Sequence, residues 1–142
     1  MVQRKASINR STKETTISVS VNLDGTGNTS IKTGINFIDH LITSFGKHGM
    51  MDLKVNAKSN DGIEHHLIED TAITIGQAID KALSSRHGIT RFSYASVPMD
   101  ESLAEASIDL IKRPFSKLTL SIKRSKIENV SKEDQLHHQS LS

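Results

Sequence analysis

The sequence predicts an α+β fold, built as one domain or as two small repeats sharing a core. Three observations carry that prediction. Apolar and polar residues alternate with period two in several stretches, two longer stretches repeat with helical spacing, and Gly/Asn/Asp-rich turns separate them. A loose internal echo supports the repeat reading: Ala6-Ser7-Ile8 leads through Glu14 to a strand, and Ala95-Ser96-Val97 leads through Glu101 to another.

The elements follow in order. Ala6 to Asn22 opens with alternation, and Ile17, Val19, Val21 and Leu23 fall on one side of a half-buried strand. Asp24-Gly25-Thr26-Gly27-Asn28 is turn chemistry, and Ser30 to Thr33 reads as a short return strand ended by Gly34. Asn36 to Lys47 reads as a helix whose Phe37, Leu41 and Phe45 form an apolar stripe widened by Ile38 and Ile42. His40 lies at the edge of that stripe, and from the helix pattern alone it reads as a core-edge histidine bonded to backbone. His48 sits near the carbonyl end of the helix dipole. Leu53, Val55 and Ala57 alternate with Lys54, Asn56 and Lys58 as a further strand. Ser59-Asn60-Asp61-Gly62 then turns the chain into a helix from about Glu64 to Leu83, with Ile68, Ala72, Ile75, Ala78, Ile79 and Ala82 on its buried side.

A second unit begins near Ile89. Arg91 to Pro98, Ala106 to Leu110 and Leu118 to Ile122 read as strands, and Pro114, which lacks the ladder donor, punctuates between the last two. Lys126 to Ser142 is polar and reads as one short helix or a frayed end.

Composition excludes several classes. With no cysteine there is no disulfide framework and no thiol chemistry. The 18 Lys and Arg are scattered and the net charge is only +2, so nucleic acid is not the expected partner, although a phosphate-bearing small substrate would suit a few of these cations. No stretch approaches the roughly 18 consecutive apolar residues of a membrane span, and Met1 to Ser11 has no apolar targeting core. The expectation is a cytoplasmic protein without a membrane partner.

Chemistry concentrates in Glu64-His65-His66-Leu67-Ile68-Glu69-Asp70. At the head of a helix, Glu69 lies four residues after His65 and three after His66, so it shares a face with each. The two histidines themselves point about 100° apart. They therefore serve two metal sites side by side, or one metal and one substrate contact. Histidine with carboxylate suits Mn, Fe, Zn or Ni. The plainer reading is an exposed helix start that happens to carry histidines and acids, but 7 His in 142 residues is a concentration, and His40 and His48 on the preceding helix could face the same cleft.

Five motifs in register carry a family resemblance: Arg10-Ser11-Thr12-Lys13-Glu14-Thr15, Leu23-Asp24-Gly25-Thr26-Gly27, Thr33-Gly34-Ile35-Asn36-Phe37-Ile38-Asp39-His40, His65-His66-Leu67-Ile68-Glu69-Asp70 and Val97-Pro98-Met99-Asp100-Glu101. Over roughly residues 4–124 the chain resembles the imidazoleglycerol-phosphate dehydratases of histidine biosynthesis. The resemblance implies tandem duplicated half-domains, each a four-stranded sheet with two helices on one face (ribosomal S5 domain 2-like), here residues 1–88 and an incomplete second half at 89–142. It implies a metal-dependent hydro-lyase that dehydrates imidazole glycerol phosphate to imidazole acetol phosphate. It also implies two Mn2+ per complete site, with other divalent ions as alternatives, and homo-oligomers of trimers assembled into 24 subunits. The metals would hold the substrate's imidazole as imidazolate, because the proton to be lost is barely acidic by itself.

Carried over residue by residue, His40, His65, His66 and Glu69 are the implied metal ligands, and His40 and Glu69 with Glu14 form the implied catalytic set. Glu14, Arg91, Arg113 and Asp100 are the implied substrate contacts, the arginines for phosphate, with Asp100-Glu101 placing substrate or orienting ligands. His48 is as readily structural as functional.

The chain departs from the family in three places. Glu64 stands where aspartate is expected, and the turn before His65 is one residue shorter. The second Gly-x-Asn-x-His-His-x-x-Glu helix, a Leu-His-Ile strand and a Ser-Lys phosphate contact have no counterpart, and His137-His138 lacks the glutamate and reads as coincidental. The expectation is that a complete two-metal site does not form from these 142 residues alone, and that the second half leaves an apolar sheet face and strand edges uncovered. The alternatives are a catalytically inactive relative acting as a metal-binding or assembly protein, and, with less support from charge, use of the half-fold to bind nucleic acid or protein.

Overall fold

The structure is a computed structural model, and it describes residues 4–113, 115–119, 126–127 and 130–131. Strand β1 (Lys5–Ser11) pairs antiparallel with β2 (Thr15–Asn22), and β2 with β4 (Asp52–Ser59). Strand β3 (Thr29–Lys32) runs parallel to β4 on its other side, giving the order β1-β2-β4-β3. Helix α1 (Asn36–His48) is the crossover between β3 and β4, the connection a parallel pair requires. Helix α2 (Glu64–Leu83) crosses β1, β2 and β4, while α1 covers β3 and β4. This is an α+β unit of four strands with two helices on one face.

The expected return strand is therefore not a hairpin partner of β2. The segment carrying Asp24 to Asn28 spans the width of β4, which inserts between β2 and β3. Asp52 holds that span: its Oδ1 accepts the N–H groups of Thr26 and Asn28 at 2.9 and 3.1 Å, and its Oδ2 accepts from Asn22 Nδ2 at 3.2 Å. Those donors hold the Asp52 carboxyl below its ordinary pKa. Gly25 is required there, since a Cβ would stand 2.3 Å from the Asp52 nitrogen. Strand β1 was hidden in the sequence because Arg10 stands at the inward position that would complete the Ala6, Ile8 alternation.

Alternation places Ile17, Val19 and Val21 of β2 and Leu53, Val55 and Ala57 of β4 in a core under Leu67, Ile75, Ala78 and Ala82 of α2. Small side chains set the approach of the helices. At Gly46 of α1 a Cβ would come 2.6 Å from Thr29 Cγ2, so glycine lets α1 lie close on β3. The start of α1 is fixed by Asp39, whose Oδ1 accepts the Thr33 N–H at 2.8 Å and the Thr33 hydroxyl at 2.7 Å.

Two expectations for the helices change. On α1, Ile38 is buried, but Leu41 and Phe45 are 45% and 50% exposed. The predicted stripe is wider than the sheet edge it sits on, and His40 beside it is exposed rather than at a core edge. On α2, the buried side also takes in the polar residues Asp70, Thr71 and Thr74.

In the second unit, β5 (Phe92–Met99) and β6 (Ser102–Asp109) form an antiparallel hairpin. Every residue of it is exposed, Phe92, Tyr94, Val97, Met99, Leu103 and Ile108 included. Two strands alone are marginal in water, and these apolar side chains are uncovered among the described residues. Leu118 and Thr119 have no regular structure, and the remainder of the strand expected to run to Ile122 lies outside the described residues. Within 126–142, β7 (Lys126–Ile127) and β8 (Val130–Ser131) pair as a short ladder where a helix or frayed end was expected. Val130 is 1% exposed and packs between Ile38 of α1 and Ile68 of α2. The rest, His137-His138 included, lies outside the described residues.

Because the sheet–α2 contact carries the core, Leu53→Ala should lower unfolding stability by about 2–5 kcal/mol. Leu41→Ala, on the half-exposed side of α1, should cost under about 1 kcal/mol. Chemical denaturation of the two variants measures the difference.

Candidate functional site

The head of α2 is set by an ion pair whose carboxylate is buried. Asp70 is 6% exposed, and a carboxylate so placed needs charge and hydrogen-bond partners. Arg10 Nη2 on β1 lies 2.8 Å from its Oδ1, and the Thr15 hydroxyl on β2 donates to its Oδ2 at 2.6 Å. Thr15 is itself fully buried. Two strands thus grip one side chain of α2 and fix how the helix is rotated. Asp70 faces the sheet together with Leu67 and Thr74, so His65, His66 and Glu69 fall on the flank of the helix.

On that flank the rings stay accessible. His65 is 34% and His66 30% exposed, and their centroids are 5.9 Å apart with planes tilted by 59°. His65 Nε2 stands 3.7 Å from Glu69 Oε2. His66 Nδ1 lies 2.6 Å from Asp61 Oδ2, in the turn before the helix. Asp61 Oδ1 accepts the Ile63 N–H at 2.9 Å and the Ser59 hydroxyl at 3.0 Å. These bonds, the Ile63 N–H first and His66 next, lower the Asp61 carboxyl to about 2. The Asp61 hydrogen bond, with the charges of Glu14 and Glu69 adding to it, raises the His66 pKa above its ordinary value.

Glu14 lies on the exposed turn between β1 and β2, tied to this region through its carbonyl, which accepts the Asn60 N–H at 2.7 Å. Asn60 Nδ2 in turn donates to the Thr12 carbonyl at 3.1 Å. The β1–β2 turn and the turn before α2 are therefore one bonded unit, and Glu14, His65, His66 and Glu69 belong to the same end of the sheet.

The other expected site residues lie elsewhere. His40 and His48 are on exposed positions of α1. Arg91 is paired with Asp109 through Nε at 2.7 Å and Nη2 at 3.0 Å and stacks over Phe92 at 5.0 Å. Asp100 sits in the β5–β6 turn with φ +49°, and Arg113 is exposed. Among the described residues no three His, Asp or Glu side chains converge tightly enough to hold an ion. The donor set nevertheless fits a borderline divalent metal: a nitrogen and an oxygen 3.7 Å apart, and a second imidazole oriented by a carboxylate. Arg10, Thr15 and Asp70 lie within the motifs and Asp61 within the turn, but the sequence assigns none of them a role of its own. An acid on the buried stripe of α2, three after Leu67 and four before Thr74, was the available signal for Asp70.

The comparisons with known proteins bear on this end of the molecule. The sequence profile of imidazoleglycerol-phosphate dehydratase matches residues 33–140. The chain belongs to the imidazoleglycerol-phosphate dehydratase family. The Acidiphilium cryptum member is 53% identical over 115 residues, covering 80% of this chain and 59% of its own length. The Chlorobium luteolum member is 49% identical over 131 residues, covering 92% and 66%. The crystal structure of the Staphylococcus aureus dehydratase superposes with a TM-score of 0.79 at 26% identity, over 92% of this chain and 71% of that one. The Pyrococcus furiosus enzyme, in complex with (S)-C348, gives 0.71 at 32% identity, over 85% and 64%. The chain thus spans 59–66% of these two curated family members. No helix among the described residues is long and apolar enough to cross a membrane.

Removing the anchor should disturb both stability and this flank. Asp70→Ala leaves Arg10 without its partner and should cost about 2–3 kcal/mol, whereas Thr15→Val should cost about 1 kcal/mol. Denaturant unfolding checks the energies, and histidine ring chemical shifts check that His65 and His66 move with Asp70→Ala.

Proposed function

We propose that the protein is the dehydratase of histidine biosynthesis that converts imidazole glycerol phosphate to imidazole acetol phosphate. The observation that carries this reading is the head of α2: two accessible, diverging imidazoles, one beside Glu69 and the other backed by Asp61. The relatives' name describes a reaction that such a donor set would serve.

His65 with Glu69, and His66 through its second nitrogen, would hold divalent cations, and His40, which stands apart on α1, would reach such a cation from another copy of the chain. Two Mn2+ ions, when bound, would supply Lewis acidity at the substrate's ring and make the glycerol proton removable. Glu14, whose charge already reaches His66, takes the acid–base role and moves a proton as the hydroxyl leaves. Arg91 and Arg113 would receive the phosphate, for which Arg91 exchanges its Asp109 partner. Asp100, on the hairpin turn, would hold the substrate's polar end. Residues 1–88 would form the first repeat and 89–142 the second; of the two-metal site these 142 residues supply the first repeat's ligands, and the second His-His-x-x-Glu set has no counterpart among them. Copies would assemble in the cytoplasm as trimers and larger shells.

The test uses a host whose histidine synthesis depends on this gene. Growth without histidine should be lost with His66→Ala or Glu69→Gln, and imidazole glycerol phosphate should accumulate. Unchanged growth with either variant would contradict the reading. A chain that binds Mn2+ but never supports growth would instead favour the metal-binding or assembly alternative.

A further inference from the structure

Asp61 is the residue of this end of the molecule that neither the motifs nor the reaction accounts for. It lies in the turn Ser59-Asn60-Asp61-Gly62, five residues before His66, so helical spacing does not bring the two together. The turn does. Gly62 adopts φ +80° and donates its N–H to the Ser59 hydroxyl at 2.8 Å. The Ser59 hydroxyl and the Ile63 N–H both donate to Asp61 Oδ1. One carboxylate oxygen is thus committed to the turn, and the other, Oδ2, is aimed at the His66 ring, 2.6 Å from Nδ1. Asp61 is not a helix cap, because α2 begins with Ile63 as its N-cap residue and no side-chain cap.

We propose that Asp61 is a positioning residue that fixes the His66 tautomer, keeping the proton on Nδ1 and presenting Nε2 as the donor to a divalent cation. An ionised carboxylate only accepts hydrogen bonds, so the nitrogen facing it must carry a proton. In the neutral ring the lone pair then lies on Nε2, on the side away from the turn. The same contact stops ring rotation, which would otherwise spread the donor over several directions. Carboxylates behind metal-binding histidines act in this way generally. The inference rests on the proposed metal-binding reading of α2, and it assigns to the loop before the helix a part in choosing which nitrogen binds.

Asp61→Asn is the informative variant. Its amide oxygen can keep the Ser59 and Ile63 bonds and so preserve the turn, while its NH2 group faces Nδ1 and donates. That reverses the proton preference of the ring. With metal-free, 15N-histidine-labelled protein held where the imidazoles are neutral, two-bond 1H–15N spectra should show His66 protonated on Nδ1 in the wild type and on Nε2 in Asp61→Asn. Mn2+ titration should then show about 10–100-fold weaker binding in the variant. Asp61→Ala, which removes the contact without reversing it, should give a mixed tautomer and an intermediate loss.

A wild-type His66 protonated on Nε2 would overturn the proposal. So would an Asp61→Asn protein that binds Mn2+ as tightly as the wild type while His66→Ala does not bind it, and in that case the metal reading would stand. If His66→Ala itself leaves Mn2+ binding unchanged, the metal reading fails, and the role assigned to Asp61 fails with it, whatever the spectra show.

Discussion

The rotation of one helix depends on a carboxylate that has no place in water. Asp70 is buried against β1 and β2, and its charge is held by Arg10 and the Thr15 hydroxyl. Breaking such a pair strands a buried charge, so the helix cannot turn about its axis without a large loss. Apolar contacts from Leu67, Ile75, Ala78 and Ala82 bring α2 onto the sheet, but contacts of that kind tolerate sliding. The ion pair supplies direction. Since successive residues step by about 100°, fixing Asp70 toward the sheet fixes Glu69 and the two histidines on the flank.

A second constraint works from the loops. The β1–β2 turn and the turn before α2 are laced together by Asn60, which donates to the Glu14 and Thr12 carbonyls. Ser59, Asp61, Gly62 and Ile63 form a closed set of bonds beside them. The candidate ligands are therefore held from two sides, by the core beneath the helix and by a bonded turn at its start. Rigid support of this kind is what a metal or substrate site needs. It also connects Glu14, distant in sequence, to the histidine pair.

Much of this was legible in the residues. The limits of α2 and the strand character of β2 and β4 follow from periodicity, and the His65-His66-Leu67-Ile68-Glu69 spacing pointed to the flank that the structure presents. Two kinds of feature were not legible. Topology was one: β3 reads as a hairpin return of β2, because alternation reveals a strand but not its neighbour, and Asp52 reaching back to Thr26 and Asn28 is a long-range contact. Polar residues turned toward the core were the other. Arg10 hid β1 and Asp70 broke the apolar stripe of α2, and each makes sense only as the partner of the other. On α1, spacing predicted a stripe through Leu41 and Phe45 that the four-stranded sheet is too narrow to cover. The family resemblance, carried by five motifs, reached the fold and the family directly, while the Asp61–His66 contact lay in a stretch that reads simply as a turn.

Mn2+ bound to crystals of the protein, located by its anomalous scattering, tests the central claim most directly. The account predicts a peak within bonding distance of His66 Nε2, and a second ligand edge at His65 Nε2 and Glu69, with Asp70 still paired to Arg10 beneath them. Peaks confined to other surfaces, or a His66 ring turned inward or bound through Nδ1, would contradict it.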